Sequence, residues 1–89
     1  MSDNLGSVPV FNCIVYVSPA TSGGVQAHVA NLAGLEVSAA SEREALGKLV
    51  AAFKARVAEL MQQQAEIPWI EPPPPPGPGE QERLIPVHL

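Results

Sequence analysis

The stretch Glu71-Pro72-Pro73-Pro74-Pro75-Pro76-Gly77-Pro78-Gly79 constrains this chain more than any other feature. Five successive prolines fix φ and offer no backbone donor, so they exclude helix and inner strand alike. What remains is polyproline II, a stiff path of ~3 Å per residue. In a chain of 89 residues this stretch takes six of the ten prolines. It divides the sequence into a flexible start at 1–7, a foldable domain at 8–70, a polyproline spacer at 71–79 and a closing segment at 80–89. A core that small only narrowly outweighs chain entropy of ~1.5 kcal/mol per ordered residue. Self-association or a partner often completes such a core.

Within the foldable part the hydrophobic period is first two, then 3.6. Phe11, Cys13, Val15 and Val17 alternate with Asn12, Ile14 and Tyr16, and the cluster Ser18-Pro19-Ala20-Thr21-Ser22-Gly23-Gly24 then supplies a turn. A second strand reads Val25, Ala27, Val29 against Gln26, His28, Ala30, and a third reads Leu35, Val37, Ala39 against Glu36 and Ser38. Placing Val17 opposite Val25 puts Phe11, Cys13, Val15, Val17, Val25, Ala27 and Val29 on one face. Asn12, Ile14, Tyr16, Gln26 and His28 then share the other. The short connections require an antiparallel meander.

The capping box Ser41-Glu42-Arg43-Glu44 opens a helix, and Leu46, Leu49, Val50, Phe53, Val57, Leu60 and Met61 continue it as a stripe. Pro68 is the first breaker, so the helix is expected over roughly 42–65. Gly47 at the stripe's edge reads either as room for a close-packed strand or as a plain surface glycine. Beyond it, Trp69 reads as an anchor for the chain past the helix. Arg83-Leu84-Ile85-Pro86-Val87-His88-Leu89 is β-prone, and Pro86 confines it to an edge. The fold class is therefore α+β: a three- or four-stranded antiparallel sheet in the order β-β-β-α-β, with one long helix packed on one face.

Few function classes survive this pattern. A net charge of −4 opposes a general polyanion binder, and the basic residues Arg43, Lys48, Lys54 and Arg56 are spread around the helix. Nucleic acid is therefore not the expected partner of this chain alone. Cys13 is the one cysteine, so no internal disulfide can form, and on an apolar strand face it reads as a small buried hydrophobe. As a nucleophile it would need His28 as base, and the strand parity places the two on opposite sheet faces. His28 and His88 lack the further ligands that a metal site requires. No phosphate loop or carboxylate pair stands out, so no catalytic residue, metal or cofactor is assigned. Apolar runs such as Ile14 to Val17 are far too short for a membrane span. Met1-Ser2-Asp3-Asn4 lacks the basic and apolar regions of a signal peptide, and the cytoplasm is the expected compartment.

The order of turns and caps resembles the N-terminal domain of HicB-like antitoxins. The residues that carry the likeness are Gly23-Gly24, Leu32-Ala33-Gly34 and Ser41-Glu42-Arg43-Glu44-Ala45-Leu46, within 11–60. The family has a Gly-Gly hairpin, a Leu-Pro-Gly turn and a Thr/Ser-x-x-Glu-Ala helix start in this order. The resemblance implies a degenerate ribonuclease-H-like module without catalytic acids, which binds and blocks a small ribonuclease toxin and assembles as dimers or tetramers. Here Ala33 stands for the proline and Leu35 for a frequent cysteine, and a proline spacer follows the helix where a DNA-binding domain often stands.

One helix covers one sheet face, which leaves Ile14, Tyr16 and His28 on the other as the candidate partner-binding face. Two occupants fit that face: a second copy or small protein, or the chain's own closing segment through Trp69 or Ile85. The expected function is a non-catalytic protein-interaction module, and the alternative is a small RNA-binding α/β module using sheet aromatics and helix lysines.

Overall fold

A computed structural model of the chain describes residues 9–89; the flexible start expected at 1–7 lies outside the described residues. Three strands, β1 (Val10–Pro19), β2 (Val25–Val29) and β3 (Glu36–Ala39), precede the helix α1 (Glu42–Gln62), and β4 (Gln81–His88) comes after it. The strands form one antiparallel sheet in the order β3-β2-β1-β4. The architecture is the expected α+β arrangement, with the closing segment as a full fourth strand at the sheet edge.

Alternation decides the faces. Cys13, Val15 and Val17 of β1, Ala27 and Val29 of β2 and Val87 of β4 are buried on one face. Against them α1 lays Ala45, Leu49, Phe53 and Val57, with Leu32 closing the end of the core. Full burial of each large aliphatic or aromatic side chain contributes ~1.5–3 kcal/mol, so this single layer carries the fold. The hairpin register differs from the expected one by two residues: Val17 lies opposite Ala27, and Pro19 opposite Val25. A shift of two preserves parity, so every residue keeps its face. The shift arises because β1 runs on through Pro19. The loop tightens to Ala20–Gly24, where Gly23 (φ 91°) and Gly24 (φ 76°) take left-handed conformations.

The helix begins as its cap dictates. Ser41 Oγ accepts the Glu44 N–H at 3.2 Å, while Glu44 reaches one residue further back than a standard box and accepts from Ala40 N–H at 3.3 Å. It ends at Gln62, short of the expected 65. The terminus is a Schellman motif: Ala65 N–H donates to Leu60 C=O at 2.9 Å, Gln64 N–H donates to Met61 C=O at 3.0 Å, and Gln64 stands at φ 56°. The reversal lets Ile67 and Trp69 fold back on the core. Trp69 stacks on Phe11 at 5.7 Å between ring centroids and meets Phe53 at 5.9 Å. Burial of these two residues outweighs the helical preference of the chain that precedes them. Gly47 proves to be a surface position, because a Cβ there would meet nothing within 4 Å.

From Trp69 the chain crosses to the other face. Ile70 N–H donates to Asn31 C=O at 3.0 Å, and the proline run then climbs the reverse side of the sheet, so β4 descends antiparallel to β1 from Val17↔Gln81 to Val10↔His88. Pro86 lies opposite Asn12, whose C=O is already taken by Asn31 on the other side. The missing proline N–H therefore costs the β1–β4 ladder nothing.

Candidate functional site

The reverse face is built from the even-numbered positions of β1, β2 and β4. Tyr16 lies opposite His28 on one side and opposite Glu82 on the other, and His28 lies opposite Glu36. One row across the sheet thus reads Glu36, His28, Tyr16, Glu82. The Tyr16 and His28 rings meet edge to face at 5.6 Å. Ile14 lies opposite Leu84, Asn12 opposite Pro86 and Val10 opposite His88. The three candidate residues therefore do share one face, but they do not share one environment.

The expectation of a vacant reverse face needs correction along its middle. Tyr16 is 3% exposed, and its hydroxyl donates to the carbonyl of Pro74. His28 Nδ1 stands 3.8 Å from a Glu80 carboxylate oxygen and remains half exposed. The cover is the proline run itself, neither Trp69 nor Ile85: Trp69 packs against Phe11 and Phe53, and Ile85 lies opposite Cys13 on the helix side. A run of prolines suits this place because these residues have no N–H to satisfy, while their carbonyls can accept from a phenol or from water. Burial, then the carboxylates of Glu82 and Glu80, lift the Tyr16 phenol above its ordinary pKa, which keeps the donor protonated.

Beside the polar positions Asn12, Gln26, Glu36 and Glu82, the strap leaves an apolar group open. Leu84 is 59% exposed and Val10 50% exposed, with half-buried Ile14 and exposed Pro86 between them. The patch borders the outer edge of β4 and adjoins a cleft of about 270 Å³ whose walls include Asn12, Asn31, Trp69 and Pro73.

Two further residues, Asn31 beside this face and Arg83 on the helix side, carry no clear sign in the sequence. Asn31 stands just past β2 and replaces the missing strand: its Oδ1 accepts the Ile14 N–H at 3.1 Å and its Nδ2 donates to Asn12 C=O at 2.8 Å. An asparagine directly after a strand is the only signal, and it is shared with every turn. Arg83 of β4 reaches Glu42 in the first helical turn at 2.8 Å, a pairing that requires the fourth strand to be in place. Cys13 is fully buried, and burial pushes its thiol up to about 11, the opposite of nucleophile activation. Its location in the core and that of His28 on the reverse face keep the two apart. Among the described residues no three His, Cys, Asp or Glu side chains gather as a metal site, and no helix is long and apolar enough to cross a membrane.

Comparison with protein-family models, with curated proteins and with solved structures gives no match.

Proposed function

We propose that this chain is a non-catalytic protein-interaction module of the cytoplasm, resembling HicB-like antitoxin domains, which associates with a second copy or a small protein through the open part of its reverse face. The observation that carries the reading is the apolar set Val10, Ile14, Leu84 and Pro86, left uncovered beside the β4 edge while the strap covers Tyr16. Tyr16 supports this surface from beneath the strap, and His28 sits on the far side of it. The RNA-binding alternative has less in its favour. Lys48, Arg56 and Arg83, three of the five basic residues, are paired with Glu44, Glu59 and Glu42, and the one sheet tyrosine is not free to stack on a base.

Sedimentation of the intact chain tests the reading. The expected species has about twice the 9.4 kDa chain mass or more, and Ile14→Asp with Leu84→Asp should shift it to monomer while circular dichroism stays unchanged. A wild-type monomer at every concentration would reject self-association. The antitoxin-like form of the reading further requires a small ribonuclease encoded beside this gene, whose activity the chain suppresses.

A further inference from the structure

The junction after α1 sets local preference against tertiary closure. Gln62-Gln63-Gln64-Ala65-Glu66 is composed entirely of good helix formers and nothing in it breaks a helix; the first breaker is Pro68. Yet the helix stops at Gln62 and reverses through Gln64 at φ 56°, a left-handed position that favours glycine and that a side chain resists. Residues 61–66 are all exposed, so no packing of their own holds the bend. Contacts made further along the chain hold it: Ile67 and Trp69 on the core, Pro74 over Tyr16, Arg83 on Glu42, and β4 along β1. The whole of 67–89 meets the rest of the chain through tertiary contacts across this one bend.

Such a hinge has two solutions. Closed, it folds 67–89 back on its own sheet; straightened, α1 continues through 63–66 and delivers the same segment to another molecule. Every contact of the segment can then be remade on the second copy, because the two surfaces are identical. Straightening also removes the left-handed residue and adds helical hydrogen bonds, so the exchanged form loses strain at each hinge. We infer that this chain exchanges residues 67–89 between two copies, so that the strap over Tyr16 and the strand beside β1 come from the partner molecule. The inference deepens the self-association reading but does not need the open patch of Val10, Ile14 and Leu84.

A cysteine at the β1–β4 seam distinguishes the forms. Cys13 lies opposite Ile85, a cross-strand separation that a disulfide spans. Ile85→Cys, oxidised as the native dimer and run under denaturing non-reducing conditions, should give a covalent dimer. A dimer that yields only monomer bands, from an internal bridge, overturns the exchange while leaving association through the open face standing. A chain that is monomeric at every concentration overturns both. Should that variant fold poorly, unaltered protein answers the same question. In a dimer mixed from carbon-13-labelled and unlabelled copies, exchange places the Tyr16 ring and Pro74 in contact between molecules, and only intramolecular contact overturns it. Gln64→Gly, which relieves the closed bend and weakens the straight helix, should lower the dimer association constant by about tenfold or more. Deleting Gln63 and Gln64 should raise the dimer share, and no response to either change counts against the hinge.

Discussion

Two glycines and one cysteine show how far residue type alone carries. Gly24 reads as a turn residue and Gly47 as either a close-packing or a surface glycine; a Cβ on Gly24, at φ 76°, would collide with the Ala39 carbonyl oxygen, whereas one on Gly47 would meet open space. Gly47→Ala should therefore stabilise the protein by about 1 kcal/mol, read as a raised urea midpoint, because alanine gives up less backbone entropy in a helix. The thiol of Cys13, raised to about 11 by burial, links stability to alkaline pH. The unfolded chain releases this proton near the ordinary thiol range while the folded chain holds it. The contribution is thus complete below pH ~8.5 and is lost as pH rises toward 11. Unfolding free energy measured from pH 8 to 11 should fall across that window in wild type, and its slope should be shallower in Cys13→Ala. The place of Cys13 as a small buried hydrophobe is legible in the sequence, because strand parity suffices for it.

At the scale of elements, the strands and the helix start follow from their own patterns, whereas what joins them does not. Alternation fixes which side chains of β1 and β2 face α1, even though the turn moves the register by two. Asn31 is the counterexample. Its carboxamide serves as a strand residue for Ile14 and Asn12, a role that exists only once the two ends of the hairpin lie side by side. Asn31→Ala leaves a donor and an acceptor of β1 without partners and should cost roughly 2–4 kcal/mol in equilibrium unfolding, with faster amide exchange at Ile14. Asn31→Asp keeps the acceptor but sets a carboxylate oxygen against the Asn12 carbonyl in a buried position, and should cost at least as much. The helix end belongs to the same class: Gln62 to Glu66 continue a helix by preference, and contacts made further along the chain, beginning with Ile67 and Trp69 on the core, bend them.

On the scale of the whole molecule, the strap decides the topology. Along it the chain crosses over, covers Tyr16, and turns back at Gly77–Glu80, where Glu80 N–H donates to Gly77 C=O at 3.1 Å. Pro75 and Pro76 are exposed, so their contribution lies in restricting the unfolded chain. Pro75→Ala and Pro76→Ala should each cost about 0.4–1 kcal/mol, seen as a lower denaturant midpoint with an unchanged slope. The sequence by itself determined the periods, the parity of the faces, the capped helix and the stiffness of the proline run, because each depends on residues within a few positions of one another. Tertiary structure alone decided that the run lies on Tyr16, that Arg83 meets Glu42, and that the open apolar ground of the reverse face lies at Val10, Ile14, Leu84 and Pro86. Those outcomes join positions far apart in the chain, and a stiff segment without donors carries no local mark of the surface it will cover.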